Sequence, residues 1–107
     1  MSTIEKSKNV LTLVNIFTVE PGRQGDLVKL LLEATERTMR HLPGFVSANI
    51  HRGLDGTRVI NYAQWESMAT FEAMHRNADA QAHMKAAAAL AQSEPVFCEV
   101  VEAVSIR

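Results

Sequence analysis

The chain has 107 residues, 47% of them hydrophobic and 21% charged, with a formal net charge of −1 at pH 7. These values fit one ordinary domain with a small core and exclude general disorder, because apolar content is high and net charge is near zero. With 11 basic against 12 acidic residues there is no cationic surplus to neutralise phosphates, so no nucleic-acid partner is expected.

Residues 1–9 are polar and read as a flexible N-terminal arm, with a single domain over 10–107. Residues 10–19, VLTLVNIFTV, are apolar on both parities, which predicts a strand covered on both faces. Pro21-Gly22 breaks it. From residue 23 to about 42, Leu27, Val28, Leu31, Thr35, Met39 and Leu42 recur at three- and four-residue steps, the apolar stripe of a helix. Pro43-Gly44 ends that helix. Residues 45–52 form a second strand, Gly53-Leu54-Asp55-Gly56 a hairpin turn, and residues 57–66 a third strand. Ser67 stands where a hydroxyl would cap a helix beginning at Met68. A break near Asn77 separates it from an alanine- and methionine-rich segment over 78–91. Pro95 punctuates, and residues 96–104 read as the last strand.

The order is β-α-β-β-α-β, the ferredoxin-like arrangement of the α+β class. Helices then cover one sheet face and leave the other, still largely apolar, without a cover. Such a face is an association surface, so the patterning predicts a homodimer packed sheet against sheet.

Cys98 is the one cysteine, too few for an internal disulfide or a thiolate metal cluster, and it reads as a small hydrophobe on a strand. The start of the chain lacks the apolar run of a signal peptide, and the run Ala86 to Ala91 is too short to span a bilayer. The expectation is a cytoplasmic protein with no membrane partner. There is no phosphate-binding glycine loop, nucleophile elbow or dinucleotide fingerprint. His41, His51, His75 and His83 do not stand at metal-ligand spacing, so no metal is expected and each reads first as a solvated or structural histidine. His51 and His83 are candidates for proton transfer, since imidazole titrates near neutral pH.

Strand alternation puts Asn15 on one face with Leu13 and Phe17, and Asn61 on one face with Ala63 and Trp65. Amides in apolar strands need partners. One reading has Asn15 and Asn61 bonded to a bulge, a turn or each other; the other has them holding a ligand oxygen in a cavity. Trp65 is either core filler or a wall on which a flat aromatic ligand stacks. Met39, Met68, Met74 and Met84 fall at helix positions that suit a core or an adaptable apolar wall.

The stretch from LVNIFTVEPG through LPGF to INYAQWES, followed by FEAMHRNADAQAHM, resembles the antibiotic biosynthesis monooxygenase family over about residues 10–104. The signals are the first-strand asparagine, the PGF after the first helix, and N-x-x-x-W-E-S leading into the second helix. The resemblance implies a dimeric α+β barrel with a pocket between sheet and helices in each subunit. In the oxygenase branch, which acts on aromatic polyketides, it implies active-site roles for Asn61 and Trp65, with Asn15 as the first-strand asparagine. Some members carry a tyrosine six residues after the tryptophan and an arginine twenty after it; Phe71 and Lys85 stand there in this chain. The haem-degrading branch has a helix tryptophan where this chain has Met74 and a ligand histidine close to the place of His83.

The oxygenase branch implies catalysis without metal or flavin, with O2 as co-substrate. An anthrone-like polyketide has an acidic C–H whose anion can itself reduce dioxygen, and the product is a quinone. Asn15 and Asn61 would stabilise the enolate oxygen and Trp65 would set the substrate plane. Phe17, His51, Phe71, Met74, His83, Met84 and Lys85 are the expected substrate-binding residues. The base is open among His51, His83 and a water held by an asparagine. The alternatives are an isomerase or cyclase on a similar polyketide, a non-catalytic dimer that binds a small ligand, and haem degradation.

Overall fold

The computed structural model describes residues 10–106; the expected arm over residues 1–9 lies outside them. Strand β1 (Leu11–Val19) leads to helix α1 (Gln24–Arg37), a single 3-10 turn (Met39–His41), and strands β2 (Phe45–Arg52) and β3 (Arg58–Trp65). Helices α2 (Met68–His75) and α3 (Ala78–Leu90) follow, and β4 (Ala91–Cys98) completes the sheet. Sheet order is β2-β3-β1-β4, with every neighbouring pair antiparallel. This is the expected ferredoxin-like α+β architecture.

Two boundaries differ from the sequence reading. The last strand starts at Ala91, directly after α3, and ends at Cys98, so Pro95 lies inside it rather than before it. Position explains this: β4 is an edge strand, where a residue without an N–H can face outward with no ladder bond lost. The first helix leaves α geometry at Thr38 (φ −125°, ψ −63°), and the 3-10 turn carries the stripe on to Met39.

Local chemistry fixes the connections. Ser67 caps α2, its hydroxyl accepting from the Thr70 N–H at 3.2 Å, and Asn77 Oδ1 accepts from the Ala80 N–H at 3.0 Å to start α3. In the β2–β3 hairpin, Asp55 Oδ1 accepts from the backbone N–H of Thr57 at 2.8 Å and Oδ2 from Arg58 Nε at 2.7 Å. Those contacts hold the Asp55 carboxyl at about 2, below its usual 3.8, the Thr57 backbone bond being the largest cause. Gln24, at the start of α1, donates to the carbonyls of Gly53 and Arg58 and ties the hairpin to the helix. Gly44, within the PGF segment, has φ +84°, and a Cβ there would fall 2.3 Å from Thr70 Cβ.

All three helices pack on one sheet face, in two apolar clusters. Phe17, Val19 and Val59 meet Leu27, Leu31 and Ala87 near one end of the sheet. Leu13 and Trp65 meet Phe71, Met74 and Ala80 near the other. The opposite face carries Thr12, Val14, Ile16, Ile60, Tyr62 and Gln64, and none of the three helices covers it. On that face Gln64 Nε2 donates to Thr12 Oγ1 at 3.1 Å, and both residues are buried.

Candidate active site

The two clusters do not merge, and the reason lies in β1 and β3. Leu13 pairs with Ala63, Asn15 with Asn61, and Phe17 with Val59. A cross-strand row of two carboxamides thus separates the apolar rows on either side. Directly opposed residues place their Cβ atoms about 5 Å apart on the same face. Polar heads here cannot join a hydrocarbon core without cost, and over this row lies a cavity of about 360 Å³.

The side-chain oxygens of Asn15 and Asn61 are buried and have no hydrogen-bond partner among the described residues. This departs from the reading in which the amides are satisfied by a bulge, a turn or each other. An unpaired buried acceptor costs about 1–3 kcal/mol. The carboxamide χ2 torsion is broad and roughly two-fold, so the head can turn and exchange its oxygen for its NH2 group. The row can therefore offer donors or acceptors to a bound molecule.

Around the amides the walls are apolar. Trp65 is 3% exposed, with the Phe45 ring edge-on at 5.4 Å and Phe71 at 6.3 Å. Phe71 in turn meets Phe97 at 5.3 Å and His75 at 4.7 Å. Met39, Met74 and Met84 line the helix side, and Ala34, Ala48, Ala63 and Ala87 leave room where larger side chains would fill it. Ser93, Pro95 and Phe97 of β4, with His75 and Ala88, line the cavity and are also exposed, so the opening lies between the edge strand and α2–α3.

The structure brings together most of the residues singled out from the sequence. Asn15, Phe17, Asn61, Trp65, Phe71, Met74, His83 and Met84 all line the cavity. His51 and Lys85 do not. His51 is exposed and sits one residue from Ile50, which packs on the helix-covered side, so alternation turns His51 to the other face. Lys85 is exposed on α3, two residues past His83 and so turned away from it. Sequence reasoning missed Phe45, Pro95 and Phe97. A register shift between Phe45 and Ser47 turns Phe45 to the face of Ala48 and Ile50, against simple alternation within β2, so no local pattern marked it; the misplaced start of β4 hid Pro95. It also missed Thr38, whose hydroxyl lies 3.1 Å from His83 Nε2 across 45 residues of chain.

Among the described residues, the cavity's lining includes two titratable side chains, His75 and His83, and no carboxylate. Among the described residues no group of three or more His, Cys, Asp or Glu is placed to hold a metal ion. No helix of the described residues is long and apolar enough to cross a membrane.

A four-stranded antiparallel sheet, helices on one face and an amide-floored apolar cavity define an α+β domain with a pocket for a small, weakly polar molecule. The profile of the antibiotic biosynthesis monooxygenase family matches residues 10–89, and the chain belongs to that family and is a monooxygenase. It is 46% identical over 100 residues to the tetracenomycin-F1 monooxygenase of Streptomyces glaucescens, an alignment covering 94% of this chain and 89% of that protein. Among solved structures it is similar to a monooxygenase of Streptomyces coelicolor, ActVA-Orf6, in complex with nanaomycin D. The TM-score is 0.79 at 31% identity, covering 91% of this chain and 92% of the other. SnoaB, a cofactor-independent oxygenase from Streptomyces nogalater, superposes with a TM-score of 0.79 at 25% identity, covering 89% of this chain and 96% of the other.

Proposed function

We propose that this monooxygenase oxidises a polycyclic aromatic polyketide of the anthrone type to a quinone with O2, without a cofactor, in antibiotic or other secondary-metabolite biosynthesis. The observation that carries the proposal is the pair of carboxamides at Asn15 and Asn61, unpaired and set between apolar walls. An amide pair in a site sheltered from water suits an oxygen that gains negative charge as a substrate C–H is lost. The resulting carbanion is electron-rich enough to pass one electron to O2, which explains how the reaction proceeds with no redox group from the protein. The likeness to a tetracenomycin-F1 monooxygenase, to a cofactor-independent oxygenase and to a monooxygenase in complex with nanaomycin D supports the same reading.

Within this reading Trp65 and Phe71 hold the plane of the substrate, Phe17, Met74 and Met84 complete its apolar envelope, and Asn15 and Asn61 bind its oxygen. His51 and Lys85 lie outside the cavity and are given no role in this reading. The reading includes a homodimer joined through the sheet face that the helices leave uncovered. The test is product analysis with isotopically labelled dioxygen and an anthrone. The expected product is a quinone with one labelled oxygen, the second labelled atom leaving as water. A rearranged product with no label would indicate an isomerase or cyclase in its place.

A further inference from the structure

We propose that His83 is the general base of this reaction and that Thr38 fixes its ring; the proposal rests on the oxygenase reading above. A gap separates the two apolar clusters. On α3, Ala80 belongs to one cluster and Ala87 to the other. His83 stands three residues after Ala80 and four before Ala87, so all three share one helix face. His83 therefore spans on the helix side the same gap that Asn15 and Asn61 span on the sheet side, and it lines the cavity they line. A flat substrate between the layers meets amides on one side and an imidazole on the other.

The reaction needs a group that accepts a proton from carbon, and neither a carboxamide nor an indole does so near neutral pH. Of the two cavity histidines, His75 is exposed at the opening and its ring is packed edge-on against Phe71. His83 is half-buried, and its Nε2 lies 3.1 Å from the buried Thr38 hydroxyl. With Nε2–H donating to Thr38 Oγ1, the other nitrogen, Nδ1, keeps its lone pair and has no hydrogen-bond partner among the described residues. The ring is then held in the tautomer that a base requires.

Nδ1 takes a proton from the substrate methylene, and the electron pair of the broken C–H bond spreads onto the carbonyl oxygen beside Asn15 and Asn61. The anion gives one electron to O2, and superoxide and the carbon radical join to form a C–O bond. The imidazolium returns its proton to the peroxide oxygen. Nδ1 then takes the second hydrogen of that carbon as a proton, the C–H pair becomes the new C=O bond, and the O–O bond breaks. The departing hydroxide receives the proton from the imidazolium and leaves as water.

The test separates proton removal from oxygen chemistry by mixing enzyme and anthrone without oxygen and following the visible absorption of the anthrone anion. The wild type is expected to form the anion; His83→Gly is expected to lose turnover by about 10²–10⁴-fold. KM should stay within a few-fold, and added imidazole should restore the rate in proportion to its concentration. Thr38→Val is expected to lower kcat with KM unchanged, and Thr38→Ser to recover it. Should the glycine variant fail to fold, His83→Gln supplies the same comparison without rescue. Anion formation at the wild-type rate in folded His83→Gly or His83→Gln would overturn the proposal, as would a wild type that forms no anion. A wild type that forms the anion yet takes up no oxygen once air is admitted would leave the base in place and sink the oxygenase reading.

Discussion

At the scale of single residues, the proposed chemistry falls to side chains that break the apolar pattern of their strands. Asn61→Ala removes one amide from the cavity floor and is expected to lower kcat by about 10²–10³-fold with the melting temperature little changed, read by steady-state turnover beside a thermal melt. Trp65→Phe should lower turnover less and raise KM, because a smaller ring still fills part of the wall. The faces of Asn15, Asn61 and Trp65 were legible from strand alternation alone. That the two amides lie directly opposite one another was not, because register depends on the hairpin and on the pairing of β1 with β3. The Thr38–His83 contact was not legible either: it joins residues 45 apart through helix packing, and no local pattern encodes it. Asp55 yields a prediction about acid. Its carboxyl titrates at about 2 in the fold against 3.8 ordinarily, so its stabilising contribution is complete above about pH 4 and is lost as pH falls through 2. Acid titrations of stability should therefore be flatter between pH 4 and 2 in Asp55→Asn than in the wild type, and identical slopes would contradict the hairpin role.

At the element scale the connections explain why motif residues are what they are. The glycine of the PGF segment sits at φ +84° with the Thr70 side chain against it, and the Gly44 carbonyl accepts from the Glu66 N–H at 2.7 Å. That segment thus joins the entry of β2 to the exit of β3, where Trp65 is placed. Gly44→Ala is expected to cost more than the roughly 1–2 kcal/mol of left-handed strain alone, because a methyl group meets Thr70 as well. Ser67→Ala, which removes the cap of α2, should cost about 1 kcal/mol; chemical denaturation of both variants checks the order. Helix and hairpin positions followed from periodicity and turn residues, which are local signals. The bounds of β4 did not, because the proline cue is valid inside a sheet and weak at its edge, and only the assembled sheet reveals that β4 is the edge.

At the scale of the whole molecule, the sheet separates two roles. One face, with its helices, builds the cavity; the other, with Val14, Ile16, Ile60 and Tyr62, is left without a helical cover. On the homodimer reading the wild type should sediment as a dimer, and Ile16→Arg should shift it toward monomer by placing a charge in an apolar interface. A wild type that sediments as a monomer at micromolar concentration would contradict that reading. On the proposed oxygenase reading, the amides of the cavity support oxygenation by stabilising an anion the substrate itself forms. The most direct measurement is oxygen uptake by metal-stripped protein supplied with an anthrone, with Asn61→Ala and Trp65→Phe alongside. The account predicts saturable uptake of one O2 per quinone formed, undiminished by removal of metals and strongly reduced in Asn61→Ala. Uptake no faster than the spontaneous oxidation of the anthrone, or uptake equal in the wild type and a folded Asn61→Ala, would contradict it.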